Sequence, residues 1–195
     1  MPRAGATLIA VFLVMASTPI AASLVGTVSG GVAMSRLEAD GTEASGELGY
    51  DFGLSLGWQL NDWVRWDAFE FHYLSTNYSS TNQNNVFGNF TSDSLILGSA
   101  ARVGIFKRDW RIHPYLSAGV GGNWLSHEQG PLVQQQWALQ WSAGAGIEFQ
   151  IDYFTAVGVR YRYRSTRLDS YPPISAGEVR ANVHTIAIEL VLGGE

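Results

Sequence analysis

Residues Glu47 to Leu60 read ELGYDFGLSLGWQL, and every second residue falls into one of two sets. Leu48, Tyr50, Phe52, Leu54, Leu56, Trp58 and Leu60 form an apolar set; Glu47, Gly49, Asp51, Gly53, Ser55, Gly57 and Gln59 form a small and polar one. Alternation with period two predicts a β-strand with one greasy and one polar face. Which face lies inside decides the fold.

The same pattern recurs. Alternation predicts eight strands, at roughly 26–35, 46–60, 64–75, 93–106, 114–125, 137–150, 155–165 and 183–192. In the seventh, VGVRYRYR sets Val157, Val159, Tyr161 and Tyr163 against Gly158, Arg160, Arg162 and Arg164. Connections after strands two, four and six are short. The others are longer and polar, RLEADGTEAS, TNYSSTNQNNVFGNFTS, SHEQGPLVQQQ and STRLDSYPPISAGEVRAN. Short turns on one rim and long loops on the other describe an antiparallel up-and-down meander. The third strand is irregular: reflection through a turn at Asn61 and Asp62 sets Asp51 opposite His72 and Gly53 opposite Glu70. That phase leaves Asp67 outside and turns Trp66 inward, which a bulge near Ala68 would correct.

Two eight-stranded barrels compete. A soluble barrel puts its apolar face around a ligand and its polar face in water; a membrane barrel inverts this. Only 15% of the 195 residues are charged and lysine occurs once, at Lys107, against about 25% charged residues in soluble domains. The polar face is built of glycine, serine and alanine with isolated charges of both signs, which suits a narrow lumen better than a solvated exterior. Trp58, Trp124, Trp137 and Trp141 lie near strand ends and Trp63 and Trp110 at short turns, the placement that headgroup interfaces favour. The membrane reading follows: an all-β, eight-stranded antiparallel up-and-down transmembrane barrel, with both termini on the short-turn side.

Residues 1–23 join a basic start at Arg3, the apolar run ATLIAVFLVMA and small residues up to Ser23, the order of a secretory signal peptide, leaving 24–195 as the barrel domain. The absence of cysteine excludes disulfides, thiolate metal sites and a cysteine nucleophile. A formal charge of −5 without a basic run argues against nucleic acid as a partner. The NYS and NFT triplets match the glycosylation sequon, which has meaning only in a eukaryotic secretory pathway.

PYLSAGVGGNW (Pro114 to Trp124), AGAGIEFQI (Ala143 to Ile151) and VGVRYRYR resemble strands of the small opacity-type and OmpA-like outer-membrane barrels of Gram-negative bacteria. The resemblance implies a cell outer membrane location, surrounding lipid and lipopolysaccharide, insertion by the barrel assembly machinery and a monomer. One departure is the terminus, LVLGGE, where such barrels usually end in an aromatic residue. Ile186, Ile188, Leu190 and Leu192 keep the alternating part of that signal.

The polar phase assigns Glu47, Asp51, Glu70, His72, Arg102, Glu148, Arg160, Arg162, Arg164 and Glu189 to the lumen as a structural charge network, since charges in a cramped interior must be paired. No cofactor, catalytic or metal site is expected. The histidines at 72, 113, 127 and 184 lack metal-site spacing. Ser126 and His127 are neighbours on an extended segment and point opposite ways, and His72 and Ser75 differ in phase, so neither pair makes a nucleophile and base. The expected function is non-enzymatic, with surface loops, carrying Tyr78, Phe87, Phe90, Tyr171, Pro172 and Pro173, for adhesion or for contact with host or envelope ligands. The alternatives are a narrow porin-like channel and a lipid A-modifying enzyme.

Overall fold

The computed structural model describes residues 23–39, 42–78, 89–107, 109–129, 132–168 and 178–193. Eight strands follow one another: β1 (Ser23–Ala39), β2 (Thr42–Gln59), β3 (Val64–Tyr78), β4 (Phe90–Gly104), β5 (Ile112–Gln129), β6 (Leu132–Gln150), β7 (Thr155–Leu168) and β8 (Val179–Gly193). Each pairs antiparallel with the next, and β1 pairs with β8, closing the barrel. All eight expected strands are present. The signal-peptide expectation falls outside the described residues except at Ser23, which opens β1.

The exposed set of β2 is the apolar one, with Leu48, Tyr50, Phe52, Leu54 and Leu56 all facing out, while Asp51 and Gly53 are buried. Leu24, Val28 and Val32 on β1 and Ile186, Ile188, Leu190 and Leu192 on β8 continue the outer band. An apolar exterior around a charged interior is stable only in lipid, where closing the sheet satisfies every ladder hydrogen bond.

Strands run further than alternation alone predicts. Two of the expected long loops are largely strand: the β1–β2 ladder continues to Ala39↔Thr42 and the β5–β6 ladder to Gln129↔Leu132. With 14 to 19 residues per strand against the roughly 9–11 that cross a bilayer, the wall rises well beyond the apolar band. The charged pair Arg36–Glu43 (2.6 Å) stands on that outer extension.

On the short-turn side Asn61 Oδ1 accepts from the backbone N–H groups of Trp63 and Val64, at 2.8 and 2.9 Å. This turn is wider than expected, so Gly53 pairs with His72 and Asp51 with Leu74, a correction of two positions to the reflected register. The irregularity near Ala68 is real. Leu56 pairs with Phe69 but Trp58 with Trp66, so one extra residue enters β3. The bulge turns Trp66 outward and buries Asp67 and Arg65.

Gly57 faces this bulge. A Cβ there would overlap the Trp66 carbonyl oxygen and lie 2.7 Å from Asp67 Cα. Both obstacles are backbone, so neither yields by a rotamer change. Gly57→Ala is expected to cost about 1–3 kcal/mol, read by urea unfolding in lipid vesicles.

Candidate functional site

The barrel interior holds two linked charge layers. Nearer the short turns, Arg102 reaches three acids: its Nε donates to Asp67 Oδ2 at 2.7 Å, and Nη1 to Glu189 Oε2 at 3.0 Å and Glu148 Oε1 at 3.2 Å. Arg65 also donates to Glu148 Oε1 (2.8 Å), Arg160 pairs with Glu189 Oε1 (2.8 Å), and the Tyr115 hydroxyl donates to Glu189 Oε2 at 2.5 Å.

In the layer above, Arg162 forks onto Glu70, Nη2 to Oε1 at 2.6 Å and Nη1 to Oε2 at 3.1 Å. Arg164 Nη1 donates to Asp51 Oδ2 at 3.0 Å. His72 stands between the two arginines, Nδ1 3.0 Å from Asp51 Oδ1 and Nε2 3.2 Å from Arg162 Nη1. Nδ1 also lies 2.9 Å from Arg164 Nη2, so the ring is held between both guanidinium groups and the Asp51 carboxylate. Alternate positions 160, 162 and 164 of one strand face inward because the strand period is two.

Nine of the ten expected lumen residues therefore lie inside: Asp51, Glu70, His72, Arg102, Glu148, Arg160, Arg162, Arg164 and Glu189 are all buried. Glu47 is exposed and lies outside the cluster. Its alternation changes phase upstream: β1 steps from Met34 to Arg36 while β2 steps from Leu48 to Ser45, so Ala44 and Asp51 both point inward but Glu47 does not. Asp67 takes its place and Arg65 joins, giving five buried carboxylates against five buried arginines among the described residues. The bulge near Ala68 is the signal for both, since Arg65 and Asp67 share a phase two residues apart.

Apolar side chains flank the charge layers at both ends of the lumen. At the outer end Leu37, Ala44, Tyr78, Phe90, Leu125, Leu168, Val179 and Ala181 form one buried cluster, in which Tyr78 and Phe90 stack at 4.5 Å. These two aromatics are thus interior residues rather than loop contacts; Phe87, Tyr171, Pro172 and Pro173 lie outside the described residues. At the other end the β4–β5 turn tucks Phe106 under the barrel, its ring 4.5 Å from the Arg65 guanidinium carbon. Phe106 N–H donates to Asp62 O at 2.7 Å, and His113 Nε2 lies 3.0 and 2.9 Å from the Lys107 and Trp110 carbonyls, which fixes that nitrogen as the protonated one.

His127 packs against Phe90 inside the barrel, ring centroids 6.1 Å apart, while its neighbour Glu128 is exposed. Ser126, His127 and Glu128 do not converge. Among the described residues no three His, Asp or Glu side chains are grouped to hold a metal, and none of the helix type that crosses a membrane occurs, the wall being all strand.

A closed eight-stranded barrel with a lipid-facing apolar band and a charge-filled core defines the class of small outer-membrane β-barrels. Residues 6–191 match the family described as the outer membrane protein beta-barrel domain, and the chain belongs to that family. It resides in the outer membrane of a Gram-negative cell envelope. Among solved structures it is similar to neisserial surface protein A, with 16% identity, 84% of this chain and 95% of that one covered, and a TM-score of 0.56. It is also similar to Ail, the attachment invasion locus protein of Yersinia pestis, solved with a heparin analogue (14% identity, 87% and 99% covered, TM-score 0.47), and to the outer membrane enzyme PagL (18%, 84% and 97%, 0.47). At these identities the likeness is one of fold alone. No curated protein sequence matches the chain.

Proposed function

We propose that the protein is a non-enzymatic envelope component, a packed membrane wall whose outer edge and loops make adhesive or envelope-structural contacts. One observation carries the reading: the lumen is filled by paired, buried charges, flanked by an apolar cluster at one end and by Phe106 at the other. The charge network serves the barrel's integrity rather than transport. An ion entering would have to displace arginines already bonded to carboxylates at 2.6–3.2 Å. Planar-bilayer recordings of the purified protein are expected to show no large, stable open conductance; such a conductance would establish the channel instead.

An acyl-transfer enzyme needs a hydroxyl beside a base. Ser165 on the outer wall donates to Asn182 Oδ1 at 2.9 Å, an amide oxygen that cannot take up its proton. Mass spectra of lipid A from cells with and without the protein are expected to be the same. Deleting residues 79–88 or 169–177 is expected to lower binding of expressing cells to an extracellular-matrix surface while heat-modifiable gel mobility, the mark of a folded barrel, persists.

A further inference from the structure

The outward residues of β7 and β8 change character along their length. On β7 they run Val157, Val159, Tyr161, Tyr163, Ser165, Arg167, and on β8, in the same direction, Leu190, Ile188, Ile186, His184, Asn182, Arg180. Aliphatic, then aromatic, then amide and hydroxyl, then guanidinium is the polarity profile from hydrocarbon to headgroup. Hydrogen bonds tie the middle of it: the Tyr161 hydroxyl lies 2.7 Å from His184 Nδ1, and the Tyr163 hydroxyl donates to Asn182 Oδ1 at 2.9 Å.

At this level the wall has a seam. The β6–β7 ladder ends at Gln140↔Thr166, leaving β6 from Leu132 to Leu139 and β7 residues Arg167 and Leu168 outside it. Unpaired backbone is not tolerated against hydrocarbon but is tolerated among hydrated headgroups. Beside the seam lies a groove of ≈ 930 Å³ on the outer wall, bordered by Val120, Leu139, Trp141 and Tyr163 and by the charged Arg167, Arg180 and Glu38. Pockets of roughly 300–1,000 Å³ hold small ligands. Leu139 is 85% exposed, the most exposed large apolar side chain among the described residues.

The two arginines stand directly opposite each other across β7 and β8. Like charges in that position repel unless an anion sits between them. Here Glu178 Oε1 does, 2.9 Å from Arg167 Nε and 3.0 Å from Arg180 Nε. Arg167, Arg180 and Glu178 are 62%, 55% and 45% exposed, and exposed ion pairs of this kind hold weakly. A phosphate, with more charge and more acceptor oxygens, matches the two guanidinium forks better than one carboxylate does. Glu38, opposite Arg180 on β1, is the further acid at the rim, and Arg36 there is already paired with Glu43.

We propose that this groove seats one phosphorylated lipid of the outer leaflet, with an acyl chain along Val120, Leu139 and Trp141 and its headgroup phosphate between Arg167 and Arg180. The site faces outward through the wall and is independent of what the loops contact. A lipid held there covers the seam where ladder hydrogen bonds stop.

The test places the full-length barrel in phosphatidylcholine bilayers containing bis-phosphorylated lipid A with a photoreactive diazirine on one acyl chain. Labelled peptides are then mapped by mass spectrometry. Labelling is expected to concentrate on the segment containing Leu139 and Trp141, and to fall about tenfold in R167Q/R180Q, in line with loss of hydrogen bonds to a charged group. The dephosphorylated probe is expected to label the wild type no better than the phosphorylated probe labels that variant. Glu178→Gln, which removes the competing carboxylate and touches no strand pairing, is expected to raise labelling, and it decides the matter even if the double variant does not fold. Even labelling around the barrel, equal labelling by both probes, or a fall in Glu178→Gln would each overturn the proposal.

Discussion

Replacing Arg102 with methionine is expected to destabilise the barrel by about 3–5 kcal/mol, the cost of leaving buried charge without its partner. The reason lies in what one guanidinium holds. Arg102 is wholly buried and contacts Asp67, Glu148 and Glu189, three carboxylates from three strands. Methionine fills much of the volume but supplies no donor, and Asp67 has no other charged partner among the ion pairs described. Glu148 and Glu189 retain Arg65 and Arg160, so the loss centres on Asp67. Combining Arg102→Met with Asp67→Asn is therefore expected to recover a substantial part of the stability, because one uncompensated charge goes with it. Equilibrium unfolding in urea, with the protein in lipid vesicles, measures all three variants. Equal stability of Arg102→Met and wild type would show that the cluster does not hold the barrel together.

Leu54→Arg is the second large effect, expected at about 2–4 kcal/mol for a charge at the bilayer midplane. Leu54 lies mid-strand on β2, half exposed to lipid between its neighbours Val28 and Phe71. A guanidinium there must leave water or drag it into the hydrocarbon, and its stem is far from either headgroup layer. Ser55, the next residue, points the other way, toward the interior beside Thr27 and Glu70. Ser55→Ala removes one hydroxyl and is expected to cost little. Comparing the two by the same urea titration tests the orientation of the whole sheet, and similar costs at both positions would invert it.

Strand number, antiparallel order and the facing of most residues were legible because alternation is local: it needs only the neighbours of each residue and a preference for lipid or lumen. Nine of ten lumen positions followed from that phase. What escaped were the places where phase changes. Asp67 and Arg65 entered through the bulge near Ala68, and Glu47 left through the irregularity between Ser45 and Leu48. The far ends of the strands were equally hidden. Tyr78 and Phe90 read as loop residues because polar sequence surrounds them, yet they stack inside the barrel mouth.

The sequence by itself determined that this chain becomes a lipid-facing barrel, since an alternating pattern with glycine, serine and scarce charge on one side has few other stable homes. Only the tertiary structure decided which charge meets which. Arg162 and Glu70 are 92 residues apart, and Arg164 and Asp51 are 113 apart. Such pairs are chosen by strand register and by the closing of β1 on β8, which bring distant residues to one height in the lumen. The seam between β6 and β7 has the same origin: where a ladder stops depends on two strands at once, and neither carries a local sign of it.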